Sequence, residues 1–214
     1  MPERKRVICS GAPRVPSGTR VYVIGDIHGR LDLLRDLRAQ IVADAQRANA
    51  ADNVIIYLGD YVDRGPESAQ VVEWLLAGPP VPAQRVVNLM GNHEQMMLGA
   101  VASGEDDAAQ HWLTNGGADS LHSWGVPRSV KHKDWAGYIP KPHLIFLRDL
   151  AIHHQVGGYL FVHAGIRPGV PLDKQTRQDL MWIREPFLSS KTNHGVVVVH
   201  GHTPRQEPTV RPNR

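Results

Sequence analysis

The amino-acid sequence predicts an α/β fold in which the strands of a largely parallel sheet alternate with helices. Short apolar runs, each followed by apolar residues at helical spacing, occur three times between residues 20 and 101. This alternation is typical of parallel sheets, because two parallel strands need a crossover connection that a helix usually supplies. Further apolar runs near the carboxyl end lie closer together, which predicts a second and more mixed sheet.

The first strand-helix unit begins at Arg20. Residues 21–24 predict a short buried strand, and the apolar residues after it recur at helical spacing: Leu31, Leu34, Leu37, Ile41 and Ala45. Residues 1–19 are rich in Pro, Gly and Arg and show no periodicity. We therefore interpret residues 1–19 as a flexible N-terminal lead-in.

The second and third units repeat this pattern. Strands are predicted at 54–58 and 86–90, and the helix-spaced residues that follow them are Val71, Val72, Leu75 and Leu76, and then Met96, Met97, Ala100 and Val101. Beyond residue 104 the alternation stops, and residues 105–145 are interpreted as a cap-like insertion. Later strands are predicted at 151–156, 159–162 and 196–199.

The composition is that of one ordinary globular domain, which we place at residues 20–214. The chain has 214 residues, of which 42% are hydrophobic, enough to form a sizeable core. Neither an apolar run of about eighteen residues nor a signal peptide is found, so a cytoplasmic monomer without a membrane partner is expected. The formal charge of +3 is scattered along the chain, so nucleic acid is not an expected partner either.

Cysteine usage limits the kinds of metal site that the chain can form. Cys9 is the single cysteine, which excludes an internal disulfide and a thiolate cluster. We therefore expect a metal site in this chain to use His, Asp and Asn ligands.

Five of the predicted strands run directly into clusters of Gly with Asp, Asn, His or Arg. The clusters are GDIHG at 25–29, GDYVDRG at 59–65, GNHE at 91–94, HAG at 163–165 and HGHTP at 200–204. Ligands of open α/β sheets bind beyond the carboxyl ends of the strands, so these clusters are expected to converge on one crevice. Turn and helix-cap chemistry explains one such cluster, but it does not explain an ordered set of five.

This ordered set of motifs resembles the phosphoprotein-phosphatase (PPP) family of calcineurin-like metallophosphoesterases. The stretches GNHEQMM, HWLTNGG and MWIRE are similar to those of its compact bacterial and bacteriophage members. The resemblance covers residues 20–204. It implies a calcineurin-like four-layer αββα sandwich with two mixed β-sheets, and a metallophosphoesterase domain at residues 20–214.

The resemblance also implies a site for two divalent metal ions. Matched motif by motif, Asp26 and His28 hold one ion, Asp60 bridges both, and the second ion is held by Asn92, His163 and His202. Manganese is the expected metal, and iron, zinc, cobalt or nickel would also suit these ligands. The family's nucleophile is a water or hydroxide that bridges the two ions, so that no covalent phosphoenzyme forms.

Four further residues match the family's catalytic positions. His93 corresponds to the general acid that protonates the leaving oxygen, and Asp63 corresponds to the carboxylate that orients it. Arg64 and Arg184 correspond to the arginines that hold the phosphate, for which a guanidinium fork is well shaped.

Residues next to these positions have supporting interpretations. Glu94 closes the GNHE motif and is expected to support its neighbours rather than to bind a metal. His200 is expected to be structural, and Trp112 is expected to pack the cap onto the site. In the family the chain continues after HGHTP into a further strand with an Asp-Thr-Gly signature, whereas this sequence stops at Arg214, so an exposed sheet edge is expected.

The favoured function is a serine/threonine protein phosphatase whose substrate is a phosphorylated protein or a small phosphoester. The alternative is a symmetric dinucleoside-tetraphosphate hydrolase, a sister family whose motifs read more like GDLVARG and GNHD. Asp63 and Glu94 occupy the two positions that differ, and both favour the phosphatase. A catalytically inactive binding protein of the same fold is less well supported, because every expected ligand is present.

Overall fold

The computed structural model describes residues 13–48, 52–78 and 84–214. Residues 1–12 of the predicted lead-in therefore lie outside the described residues. A parallel sheet is formed by β1 (Thr19–Ile24), β2 (Asp52–Tyr57) and β3 (Gln84–Asn88) in the order β1-β2-β3. Thr19 lies opposite Asp52, and Ile55 of the central strand lies opposite Val86. The predicted first sheet is confirmed, and it is parallel throughout rather than mixed in the part of the chain that the structure describes.

Helices connect and cover this sheet as the periodicity predicts. They are α1 (Leu31–Ala48), α2 (Ser68–Leu76) and α3 (Asn92–Ser103). Leu31, Leu34 and Ile41 of α1 are buried in the same cluster as Ile55 and Tyr57 of β2. Because successive strand residues point to opposite faces, one face of β2 packs on helices while the other is free for a second sheet.

The second sheet is mixed, as predicted. It consists of β4 (His153–Val156), β5 (Tyr159–Val162) and β6 (Val197–Val199), with β4 antiparallel and β6 parallel to β5. Val54 and Ile56 of β2 pack with Phe161 of β5, so the two sheets face each other. The outer face of the second sheet packs through Leu160 against a last helix, α7 (Arg177–Trp182). These layers confirm the predicted α/β sandwich with two sheets.

The segment interpreted as a cap is helical and joins the core. It contains α4 (Asp106–Trp112), a wide turn at Leu113–Gly117, α5 (Ala118–Ser123) and a 3₁₀ helix at His132–Gly137, and α6 (Lys141–Arg148) follows. Trp112, Leu121 and Trp135 are buried in the cluster that also contains residues of α2 and α3. The segment therefore extends the helical layer over the end of the first sheet where the motifs lie.

Both ends of the described chain pack on the second sheet. The amide of Gly158 donates to the carbonyl of Arg14 (3.0 Å), and the outward-facing amide of Val198 in β6 donates to the carbonyl of Asn213 (3.1 Å). The side chain of Asn213 in turn donates to the carbonyls of Ser190 and Thr192. The outer edge of β6 is thus covered at its central residue.

None of the helices in the described ranges is both long and apolar enough to cross a membrane.

Candidate active site

Side chains from the ends of five strands meet at one edge of the sheets. Asn92 Oδ1 lies 2.9 Å from His163 Nε2 and 2.9 Å from His202 Nδ1. Asp60 Oδ2 lies 3.4 Å from His163 Nε2 and 3.7 Å from His28 Nε2. These residues are separated by up to 174 positions in the sequence (His28 to His202), and the carboxyl ends of the strands bring them together.

Two groups of donor atoms in this region are compact enough to hold a metal ion. One consists of His28, Asp60 and His93 and the other of Asp60, His163 and His202, with the donor atoms of each group within 4.8 Å of one another. Asp60 belongs to both groups. Asp26 is outside them, and its Oδ1 atom accepts a hydrogen bond from the amide of His202 (3.2 Å).

Hydrogen bonds fix the orientation of two of these imidazole rings. His163 Nδ1 lies 2.8 Å from the carbonyl oxygen of Leu58, and His28 Nδ1 lies 2.8 Å from that of Val62. Because a carbonyl only accepts, Nδ1 carries the proton in both rings, and each Nε2 faces the cluster. Such a bond from the far nitrogen is the usual way in which a protein orients a ligating histidine.

The electrostatics of the cluster favour a bound cation. Asp60 is buried, and although burial alone raises its pKa, the nearby charge on His163 outweighs burial and holds the pKa far below the usual range. Burial alone would lower the pKa of His163, but the Asp60 carboxylate outweighs it and raises the pKa to about 9. The buried carboxylate thus attracts positive charge, and a divalent ion would supply that charge by displacing the proton. The donor set therefore fits a metal ion.

Backbone strain is concentrated at this site. Among the described residues, five non-glycine residues have positive φ angles, and all five are predicted site residues: His28, Asp60, Asp63, Arg64 and His202. Such conformations cost about 1–3 kcal/mol each and persist where the surrounding structure imposes them. Gly91 also permits a close approach, because a Cβ atom there would lie 2.1 Å from Asp60 Oδ1.

His93 and Asp63 form a buried pair beside the cluster. His93 Nδ1 lies 2.7 Å from Asp63 Oδ2, and both side chains are almost fully shielded from solvent. The exposed Arg64 donates from its guanidinium to His93 Nε2 (3.0 Å) and to His28 Nε2 (2.8 Å). The pair is therefore shielded from solvent around Asp63, and the Arg64 guanidinium contacts it at His93 Nε2.

Glu94 holds the strand ends together from behind the cluster. Its carboxylate accepts hydrogen bonds from the amides of Asp60 (2.8 Å), Tyr61 (2.7 Å) and Gly91 (2.9 Å). Burial, with the charge of Asp60 in addition, raises the pKa of Glu94 to about 7. These contacts agree with the supporting role that the sequence indicates for Glu94.

Arg184 and His200 lie at the margin of the site. Burial, followed by the charges of His163 and Arg184, lowers the pKa of His202 to about 4, so the exposed Arg184 guanidinium lies within electrostatic reach of that ring. His200 packs edge-on against Phe187, with ring centroids 5.0 Å apart.

The structure adds residues that the sequence did not indicate. Ser120 Oγ donates to Asp63 Oδ1 (2.7 Å), although the two residues are 57 positions apart. Trp182 donates to Gln95 (2.6 Å), and its ring lies 6.3 Å from that of His202. No sequence signal marks Ser120, whereas Trp182 belongs to the MWIRE stretch.

The fold and this donor cluster are typical of metal-dependent phosphoesterase domains. The chain belongs to the calcineurin-like phosphoesterase family, whose model matches residues 19–213. Members of this family depend on two metal ions, and the chain carries residues suited to bind them. The chain therefore carries a calcineurin-like phosphoesterase domain.

Relatives with two different names are similar to this chain. A symmetrical bis(5'-nucleosyl)-tetraphosphatase of Methylococcus capsulatus is 31% identical over 69% of this chain and 44% of its own length. Serine/threonine-protein phosphatase 1 of Salmonella typhimurium is 29% identical over 80% of this chain and 71% of its own length. This chain thus spans less than half of the Methylococcus protein.

A solved structure shares the fold. The crystal structure of a "putative diadenosine tetraphosphatase" superposes with a TM-score of 0.59 at 21% identity, covering 88% of this chain and 77% of that one. At this level of identity the likeness concerns the fold alone.

Proposed function

We propose that this protein hydrolyses phosphomonoesters with the help of two metal ions, and that it is a serine/threonine protein phosphatase. The observation that carries the proposal is the buried His93–Asp63 pair, at 2.7 Å, beside the donor cluster around Asp60. An alkoxide such as that of serine is a poor leaving group, so its departure requires an acid, and an imidazole held by a carboxylate suits that role.

The residues that would hold the metal ions are those that the family resemblance implies. Asp26 and His28 would bind one ion and Asp60 both, while the second ion would be bound by Asn92, His163 and His202. Bound there, divalent ions such as Mn²⁺ would polarise the phosphoryl group and lower the pKa of an attacking water.

The remaining site residues bind and protonate the substrate in this proposal. Arg64, which is exposed and donates to two histidine nitrogens in this structure, would turn its guanidinium to the phosphoryl oxygens. Arg184 would add a second cation from the side of His202. His93 would carry a proton on Nε2 and give it to the leaving oxygen, while Asp63 holds the ring through Nδ1.

A second candidate function is hydrolysis of symmetric dinucleoside tetraphosphates. It is favoured by the names of the Methylococcus relative and of a second one from Aromatoleum aromaticum. The contacts of the two residues that distinguish the sister families support the phosphatase. Asp63 holds His93, and Glu94 is long enough to accept hydrogen bonds from amides of both the Asp60 and Gly91 loops.

A substrate comparison tests the proposal. Purified protein supplied with Mn²⁺ is assayed with phosphoserine, phosphothreonine and phosphotyrosine peptides, para-nitrophenyl phosphate and diadenosine tetraphosphate. We expect the highest kcat/KM on a phosphoserine or phosphothreonine peptide. A clear preference for the dinucleotide would support the second candidate, and no phosphate release from any substrate would support an inactive binding protein.

A further inference from the structure

We propose that Trp112 and Ser120, which come from the cap helices α4 and α5, are positioning residues that hold Asp63 and, through it, aim His93. The inference rests on the proposed function, in which His93 protonates the leaving group. It gives the cap a role in the chemical step in addition to its packing role.

Three side chains donate to the carboxylate of Asp63. Trp112 Nε1 lies 3.0 Å from Oδ1 and 2.9 Å from Oδ2, and Ser120 Oγ lies 2.7 Å from Oδ1. His93 Nδ1 completes the set, at 2.7 Å from Oδ2. Both carboxylate oxygens are therefore bound, and two of the three donors belong to the cap.

The cap also holds the strained backbone at this point. Asp63 and Arg64 have φ angles of 74° and 69°. The amide of Asp63 donates to Ser120 Oγ (2.8 Å), and the amide of Arg64 donates to the carbonyl of Gly116 (3.3 Å). Gly116 fits closely, because a Cβ atom there would lie 3.0 Å from that same Arg64 nitrogen.

Burial makes these donors hard to replace. Asp63, Trp112 and Ser120 are all 0% exposed, so each lost donor leaves a carboxylate oxygen short of a partner. A buried carboxylate that lacks some of its hydrogen-bond donors destabilises the fold. We expect the Asp63 carboxylate to rotate toward the donors that remain. Because Asp63 is the buried partner that holds the His93 ring through Nδ1, a displaced carboxylate turns the imidazole away from the leaving group.

Two substitutions that each remove one hydrogen-bond donor test this role. Trp112→Phe keeps a ring and removes the indole N–H, and Ser120→Ala removes the hydroxyl. Trp124→Phe is the matched control, because Trp124 lies in the same segment and donates its N–H to His143 (3.0 Å), away from Asp63. Should Trp112→Phe fail to fold, Ser120→Ala carries the test.

The kinetic readout is the dependence on the leaving group. We expect both variants to lower kcat on a phosphoserine peptide about tenfold, part of the roughly 10²–10⁴-fold that a general acid contributes. Turnover of para-nitrophenyl phosphate, whose leaving group needs little protonation, should change by less than about twofold. In a His93→Asn background neither change should lower phosphopeptide turnover further. Equal losses on both substrates, or a further loss in that background, would overturn the inference.

A second readout does not depend on activity. The proton between His93 Nδ1 and Asp63 Oδ2 is buried, and it should give a downfield proton NMR signal in the metal-free protein that His93→Asn removes. Ser120→Ala should shift or broaden this signal, and Trp124→Phe should leave it unchanged. If Ser120→Ala leaves the signal and the leaving-group dependence unchanged while the wild type is an active phosphatase, the positioning role is refuted and the proposed function stands. If the wild type releases no phosphate but Ser120→Ala moves the signal, the proposed function fails and the contact of Ser120 with the pair remains.

Discussion

Gly91→Ala should inactivate the protein by moving Asp60. The backbone of Gly91 is extended, with φ −93° and ψ 175°, so alanine can adopt it without strain. The added methyl group would instead lie 2.1 Å from Asp60 Oδ1 and 2.5 Å from the Asp60 amide nitrogen, where ordinary contact begins at 3.4 Å. The Asp60 carboxylate must therefore move by more than an ångström, and rotation of the side chain alone would leave the clash with the Asp60 amide nitrogen.

The expected loss follows from that displacement. A misplacement of about 1 Å costs on the order of 100-fold in rate, so kcat/KM should fall by at least about 100-fold. Bound metal, measured by elemental analysis of the purified protein, should fall with it. Overpacking should also cost about 1–3 kcal/mol of stability, to be measured by urea unfolding.

Gly99→Ala is the matched control for this variant. Gly99 lies in α3, the helix that Gly91 precedes as its N-cap residue, and a Cβ atom there has no neighbour within 4 Å. It should keep metal and activity and gain about 0.5–1 kcal/mol, because alanine restricts the unfolded chain. A folded Gly91→Ala protein with full metal content and wild-type turnover would refute the assignment of Asp60 as the shared ligand.

Three further predictions concern metal, core and pH. Mn²⁺ at about 100 times its dissociation constant should stabilise the wild type by roughly 2.7 kcal/mol, seen as a higher Tm, and Asp60→Asn should abolish that shift. Phe161→Ala, between the two sheets, should cost about 3–5 kcal/mol in urea unfolding, whereas Ile145→Ala, at a side chain that is 54% exposed, should cost less than about 0.5 kcal/mol. The hydrogen bond from Arg167 lowers the pKa of Asp179 in the folded protein. The ionised carboxylate therefore stabilises the fold at pH values above the usual pKa of a carboxyl group, and this stabilisation is lost as the pH falls through the lowered pKa. Asp179→Asn should therefore reduce Tm more at pH 7 than near pH 3; an equal reduction at both values would contradict this reasoning.

The sequence predicts the central elements well because their patterns are local. The apolar run at 54–58 predicts β2. The strand in fact begins two residues earlier, at Asp52, and an apolar pattern does not include its first two residues because they are polar. The predicted strand at 86–90 ends earlier, at Asn88, and the next residue, Leu89, forms an isolated bridge with Ala151. The same pairing explains why β4 begins at His153 and not at 151.

The residues of the candidate site also fall into two groups, those that local sequence motifs indicate and those that depend on tertiary packing. The proposed ligands follow strand ends, where position in the chain decides position in space, and the motifs therefore indicate them. Ser120 is different, because its hydroxyl reaches Asp63 only through the packing of α5. The indole of Trp112 likewise belongs to a motif, but its hydrogen bond to Asp63 depends on how the cap folds over the sheet.

The residues of the site with positive φ angles also affect which substitutions selection for stability would favour. Replacing His28 or His202 by glycine or asparagine would relieve backbone strain and raise the free energy of unfolding, because glycine and asparagine adopt positive φ angles at low cost. A selection for heat resistance alone would therefore favour the loss of the proposed ligands, as in the usual trade between stability and activity. A library of heat-resistant variants should be enriched in such replacements unless turnover is selected at the same time.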